Sequence, residues 1–336
     1  MKEMKIEIPY YEDMTRYSNS DIGFFLKNGP KALKDYKEGK IPPLSFSFLE
    51  KGTMIHEYIL QPDEFWKDYV ILDFETPKVK QQKDFLDEYF RLKEVNPLES
   101  SSKLMLQAYN TAYSNNKPDD KKIAEGLDLT VKYESYLKYL KEKDTRKVIT
   151  FSDLNTLKNI ESNLKAHKKA NSLLFTLPNT FETHNEFHIN WEVSKYNIKC
   201  KSLLDRVCFD HVNKKIILID LKTTQNVYNF EHSVEEYDYF RQIAYYGLAI
   251  QWYMAEILNL NTDDYDFEAY IICIGKDKNN EIRVFNMNKK EILSEKVDLI
   301  SNALQKISYH IQNNQWEHTK EYYDGDGTEQ LNKCIN

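Results

Sequence analysis

Residues 216–224 read Ile-Ile-Leu-Ile-Asp-Leu-Lys-Thr-Thr. An apolar run that ends in Asp220 and Lys222 sets an acid and a lysine two apart, and on a strand such residues share a face. Charged groups are seldom buried without a partner or a use. Fifteen residues upstream of Asp220, Leu203-Leu204-Asp205 closes another strand-like run with a second carboxylate. Two carboxylates and a lysine brought together suffice for metal-assisted cleavage of a phosphodiester. Carboxylate oxygens suit one or two Mg²⁺ or Mn²⁺ ions, which polarise a phosphate and lower the pKa of a bound water. Lys222 would orient or help deprotonate that water, or offset charge in the transition state. Leu221 packs behind, with its carbonyl within reach of the same ion. The bland alternative is a salt-bridged strand end.

The elements that must position these residues follow from the pattern on either side. Phe181 to Val193 alternates through Phe187, Ile189, Trp191 and Val193 and reads as a strand. Ser194–Asn197 is a hairpin turn, Ile198–Phe209 a second strand, His211–Lys214 a turn, and Lys215–Lys222 a third strand. A helix from Glu235 to about Leu258, strands at Tyr270–Ile274 and Ile282–Phe285, and a helix from Lys289 to about Gln312 complete this part. The expected fold is α+β, a mixed sheet flanked by helices, with Asp205, Asp220 and Lys222 on adjacent strands.

Upstream, Ser18 or Ser20 caps a helix that stops at Asn28-Gly29-Pro30, and Lys31–Lys37 forms a second. After Pro42-Pro43, Leu44–Leu60 is a helix with Phe48, Leu49, Ile55 and Ile59 on one face and His56 within it. Residues 75–150, rich in Lys, Glu, Asp, Tyr and Asn, read as a helical insertion with helices near 79–93, 101–115 and 130–142. Ser152-Asp153 opens a helix to about Leu174. The expected organisation is therefore residues 1–74 as the N-terminal part carrying His56, 75–150 as the insertion, 151–316 as the core and 317–336 as a flexible tail.

Composition sets limits. Hydrophobic residues make up 41% and charged residues 29%, as in an ordinary globular chain. No apolar run approaches the ~20 residues of a membrane helix. The N-terminal residues lack a signal peptide's apolar segment, so a cytoplasmic location and no membrane are expected. Cys200, Cys208, Cys273 and Cys334 have no metal-site spacing. Neither a Gly-rich phosphate loop nor a Gly-x-Ser-x-Gly elbow is present. Net charge is −7, which argues mildly against a nucleic-acid partner. Yet Lys195, Lys199, Lys201, Arg206, Lys214, Lys215 and Lys222 outnumber Asp205, Asp210 and Asp220 between residues 195 and 222, which suits an anionic polymer or else a solvated hairpin.

Five ordered motifs resemble the PD-(D/E)xK nuclease superfamily, and more narrowly the phage exodeoxyribonuclease VIII (RecE-type) exonucleases. They are Gly52-Thr53-Met-Ile-His56 running on to Pro62 and Phe65, Glu186-Phe-His-Ile-Asn-Trp191, Cys200-Lys201 through Asp205, Asp220-Leu-Lys222-Thr-Thr224, and Gln242 with Tyr246. Asn19–Tyr36 is similar to the family's N-terminal element. The resemblance covers roughly residues 15–75 and 155–260. It implies a Mg²⁺-dependent exonuclease that resects linear double-stranded DNA 5′ to 3′ during recombination, with a single-strand annealing protein as partner and a ring-forming homo-oligomer among its relatives. It places His56, Asp205 and Asp220 on one or two Mg²⁺ or Mn²⁺ ions, Lys222 on the water, and Glu186, Gln242 and Tyr246 in support. A neutral imidazole can complete a carboxylate site. Gly52, one turn earlier, would let that helix approach the sheet closely. Where the family has an Arg two residues before the first Asp, this chain has Leu203. Arg206 follows the Asp instead and is expected on the opposite pleat face. A DNA-binding or protein-interaction module without cleavage, and an endonuclease of the same superfamily, remain as alternatives.

Overall fold

The computed structural model describes residues 8–41, 47–142 and 144–328, and the chain separates into two units, residues 1–61 with 157–336 and residues 62–156. The expected helix start at Leu44, the Pro42-Pro43 turn and Cys334 lie outside the described residues.

The first helix, α1 (Asn19–Lys37), opens with a reciprocal cap. The Asp21 N–H donates to Ser18 Oγ at 3.2 Å and the Ser18 N–H donates to Asp21 Oδ2 at 2.7 Å. The two short helices expected here are one element kinked at Gly29, whose φ of 83° only glycine adopts cheaply, ahead of Pro30. The next helix, α2 (Ser47–Leu60), carries His56.

The smaller unit follows. It holds α3 (Pro62–Asp68), β1 (Tyr69–Ile71), α4 (Lys80–Val95), α5 (Ser101–Ala112), α6 (Asp119–Lys132), α7 (Glu134–Glu142) and β2 (Lys147–Ile149). Strands β1 and β2 pair in parallel. Its core is Phe85, Leu86, Tyr89, Leu104, Met105, Ala108, Tyr109, Tyr133 and Tyr136. Helix α6 begins at Asp119, eleven residues before the helix read there from sequence. Gly126 in its middle hides it from propensity, and packing explains the glycine: a Cβ there would come within 3.0 Å of the Phe85 ring.

Helix α8 (Phe151–Ala166), which enters the larger unit at Leu157, and α9 (Lys168–Leu174) replace the single long helix expected. His167 breaks it by capping α9, its Nδ1 accepting from Ala170 N at 3.2 Å. Strands β3 (Phe181–Val193), β4 (Ile198–Asp210) and β5 (Lys215–Thr224) form an antiparallel meander. Helices α10 (Phe230–Glu236) and α11 (Tyr239–Glu256) connect β5 to β6 (Asp266–Gly275), which runs parallel to it, and β7 (Ile282–Asn286) closes the sheet antiparallel to β6. The helix expected from Glu235 is split because Asp238 sits at φ 50°. Helix α12 (Lys290–Asn313) follows, and α13 (Lys320–Asp324) is a short helix where only tail was expected. The sheet order is β3-β4-β5-β6-β7, a mixed α+β fold.

The main core lies on one face of this sheet. There Ile216 and Leu218 of β5, Ile189 and Trp191 of β3, and Ala269 and Ile271 of β6 pack with α1, α11 and α12. Strand β6 is buried from Ala269 to Gly275, as a strand between neighbours in a covered sheet must be. The N-terminal segment also pairs with β4: Tyr17 N donates to Lys199 O and Lys201 N to Tyr17 O, both at 2.9 Å. Tyr245 of α11, fully buried, donates to Tyr17 O at 2.6 Å and lies 5.0 Å from the Trp191 ring. These contacts fix the azimuth of α11, which matters because Gln242 and Tyr246, beside Tyr245 on the helix, face the site.

Candidate metal-dependent active site

Three strands each bring one acid to the same level of the sheet. In the β3–β4 register Asn185 opposes Arg206 and Phe187 opposes Leu204, so Glu186 stands opposite Asp205. The β4–β5 ladder ends at Arg206 opposite Ile219, one step before Asp205 would meet Asp220. Beyond that step β4 pairs with Tyr17 on the side β5 has left, so the sheet forks. Asp205 fills the fork: its Oδ2 accepts the Leu221 N–H at 2.7 Å, a donor that no longer has a strand partner.

The pleat shifts phase at the same place. On β4 the core residues run Cys200, Leu204, then Val207 and Phe209, an even series followed by an odd one. Glu186 makes the shift on β3 with φ 47°, a left-handed conformation that costs a non-glycine residue roughly 1 kcal/mol. Asp205 and Arg206 therefore turn away from the main core together. The expectation that Arg206 lies across the pleat from Asp205 fails for this reason. Its guanidinium donates to Asn185 Oδ1 at 3.1 Å, and the Asn185 amide donates to Leu60 O at 2.6 Å, which ties both residues to the end of α2.

Helix α2 delivers His56 to the fork. Ligand atoms of His56, Glu186 and Asp205 lie within 4.8 Å of one another, with His56 Nδ1 at 3.6 Å from Asp205 Oδ2. The ring also hydrogen-bonds the backbone of Leu221. Asp220 is not a member of this trio. It approaches from the core face, buried, with Lys222 Nζ at 2.5 Å from its Oδ2 and Gln242 Nε2 donating to its Oδ1 at 3.1 Å. Gln242 Nε2 also donates to Tyr246 Oη at 2.9 Å. Gln242 and Tyr246, one turn apart on α11, thus hold Asp220 in place. The Lys222 ammonium rests 5.1 Å from the centroid of the Tyr239 ring.

Glu57 and Tyr239 were not singled out by sequence reasoning. Glu57 adds a fourth carboxylate, whose Oε2 is buried without a hydrogen bond and whose charge is felt by Glu186 and His56. Its signal was its place beside His56. Gly52 departs from expectation in the other direction. A Cβ there would meet Thr223 Oγ1 at 3.5 Å, an ordinary contact, so glycine is not required for the approach of α2. The basic strip also dissolves. Lys201 is buried and donates to Tyr10 O and Asp13 O, Lys215 pairs with Glu268 at 2.6 Å, and the solvated-hairpin reading fits better.

The electrostatics follow from crowding four acids around one lysine. Burial, then repulsion from Asp205, Glu57 and Asp220, pushes the Glu186 carboxyl up to about 7. Burial also raises Asp205, and it raises Asp220 to about 6 against the pull of Lys222. Burial would lower Lys222, but Asp220 and Asp205 more than offset it and hold the ammonium above its ordinary range. Burial, reinforced by Lys222, pushes His56 down to about 4, which leaves the imidazole neutral at physiological pH. A neutral imidazole, two carboxylates within reach and uncompensated negative charge fit a hard or borderline dication.

The model of a family described as a PDDEXK-like domain of unknown function (DUF3799) matches residues 18–322. No curated protein matches the chain. Among solved structures, the chain is similar to a "Putative exonuclease" from Eubacterium rectale at 12% identity and a TM-score of 0.48, over 99% of this chain and 97% of that one. It is also similar to SSO0001 at 12% identity and a TM-score of 0.24, over 76% and 85%. The family match spans nearly the whole of the described core and both halves of the fork. The chain belongs to the PDDEXK-like domain family DUF3799.

Proposed function

We propose that this protein is a divalent-metal-dependent nuclease that hydrolyses phosphodiester bonds of DNA and works from DNA ends. The observation that carries the reading is the convergence of His56, Glu186 and Asp205 within 4.8 Å, with the Asp220–Lys222 pair alongside. Bound there, Mg²⁺ or Mn²⁺ would supply Lewis acidity toward the phosphate and a water acidic enough to attack near neutral pH.

The chain's own residues do the rest. His56, Glu186 and Asp205 would hold the ion, and Asp220, paired with Lys222, would add negative charge nearby. Lys222, held as an ammonium, donates to a phosphate oxygen and offsets the charge that grows in the transition state. Gln242 and Tyr246 are positioning residues that keep Asp220 oriented toward Lys222. Action on linear double-stranded DNA, 5′ to 3′ polarity, a single-strand annealing partner and a homo-oligomeric assembly belong to the same proposal, on the strength of the RecE-type resemblance.

The test is incubation of linear, nicked and covalently closed circular DNA with Mg²⁺, Mn²⁺ or EDTA. An exonuclease degrades the linear form, needs the metal and leaves the closed circle intact. Cutting of the closed circle would replace the exonuclease reading with an endonuclease. Retention of DNA without cleavage under every condition would leave a binding module.

A further inference from the structure

Two exposed tyrosines flank the row of acids, one at each end. Tyr237 is 56% exposed and precedes α11. Its ring stacks on Tyr239 at 5.9 Å between centroids, and Tyr239 stacks on Phe230 at 5.7 Å, which stacks on Phe285 at 5.1 Å. The outermost ring of this column is the only strongly exposed one among the four, and the next ring down carries the Lys222 ammonium on its face. The junction is rigid: Asp238, at φ 50°, pairs with Lys296 at 2.8 Å and accepts the Arg241 N–H at 3.3 Å.

Tyr11 stands at the β3 end and is 81% exposed. Lys201 clamps its segment through Tyr10 O and Asp13 O, each at 2.6 Å. Tyr10 packs edge-on against His188, two residues past Glu186, and against Tyr11 itself at 5.1 Å.

A single exposed aromatic needs no explanation. Two, each braced from behind by rings or a buried lysine and each beside one end of a candidate catalytic row, can act as stacking platforms. Every nucleobase has a face that stacks on such a ring regardless of sequence. Inside a duplex both faces are taken by neighbouring bases, so only an unpaired or terminal nucleotide can use the platform.

Building on the nuclease reading, we infer that the site takes a DNA strand whose bases are unpaired on both sides of the scissile phosphate, with Tyr237 and Tyr11 stacking on the flanking bases. The substrate class is therefore single-stranded DNA, an overhang or a frayed end, and a blunt duplex must open to enter.

The test compares wild type, Tyr237→Ala, Tyr237→Phe and Tyr11→Ala on labelled single-stranded oligonucleotides with Mg²⁺, with and without abasic sites beside the cleaved bond. Each alanine variant should raise KM about 5- to 100-fold with little change in kcat, as loss of one stacked base predicts. Tyr237→Phe should stay within about twofold of wild type. Abasic oligonucleotides should erase the difference between wild type and the alanine variants, which a merely structural role would not do. Unchanged KM in both alanine variants, or a difference that persists on abasic DNA, would overturn the inference, and a shift in only one would overturn its two-ended form. Binding of the same oligonucleotides in EDTA, read by fluorescence anisotropy, separates the two claims. A chain that binds through these tyrosines but never cuts keeps the stacking and sinks the nuclease reading.

Discussion

At the scale of single residues, the site is built against the stability of the chain that carries it. Glu186 occupies a left-handed backbone conformation and a carboxyl environment that favours the protonated form up to about pH 7. Asp220 is held up to about 6. Both folded-state values lie above the ordinary carboxylate range, so the stability they contribute is fully present below about pH 4 and is lost as pH rises through 6 and 7. Glu186→Gln removes the charge and keeps the shape. In EDTA at pH 8 it should raise unfolding stability by on the order of 1–2 kcal/mol. At pH 5 the gain should nearly vanish, since the wild-type carboxyl is then protonated. Denaturant melts at the two pH values measure this, and an equal gain at both would show that the charge is not the cause. His56 works the opposite way. Its lowered value of about 4 gives stability that is full above about pH 6.5 and is lost progressively as pH falls from there through 4, a loss common to wild type and variant that cancels in their comparison.

At the scale of elements, the site depends on a helix, a fork and a pleat shift. Gly52 tests how tightly α2 is seated. A Cβ there finds ordinary contact with Thr223, and alanine is the better helix former by about 1 kcal/mol. Gly52→Ala should therefore leave the fold unharmed or raise its stability by roughly 0.5–1 kcal/mol in thermal melts, and a loss above about 1 kcal/mol would mean that α2 sits closer to β5. Some of this level was legible in sequence. Period-two alternation put Asp220 and Lys222 on one face and Asp205 on the adjacent strand, because strands keep that period wherever a core selects it. His56 came from motif resemblance, since one histidine on an amphipathic helix leaves no signal of its own. The pleat shift at Glu186 was not legible. A glutamate forced to positive φ leaves no mark in composition, and strict alternation then put Arg206 on the wrong face. Gly126 misled in the same manner, because the contact that demands it, the Phe85 ring, lies forty-one residues away in sequence.

At the scale of the whole molecule, a chain of net charge −7 gathers four acids at a fork with Lys222 as their ion-paired cation. Among the described residues no helix is long and apolar enough to cross a membrane. A bound dication is the natural counterweight to such a cluster, and anything that binds only the folded state stabilises it by mass action. Mg²⁺ or Mn²⁺ should raise the melting temperature relative to EDTA, and the increment should grow from pH 6 to pH 8 as Glu186 and Asp220 give up the protons that compete with the ion. Scanning fluorimetry at the two pH values reads this directly, and a larger increment at pH 6 would reverse the assignment.

Hydrolysis of DNA at this fork is the proposal that most needs a direct measurement. It is met most directly by the rate at which Lys222→Ala, which leaves His56, Glu186 and Asp205 in place, releases nucleotides from linear DNA in Mg²⁺. Wild type should release nucleotides only with Mg²⁺, and the variant should show a fall of at least about 10²-fold in kcat with the metal-induced melting shift retained. Release at the wild-type rate by Lys222→Ala, or release by wild type that survives EDTA, would contradict the proposal.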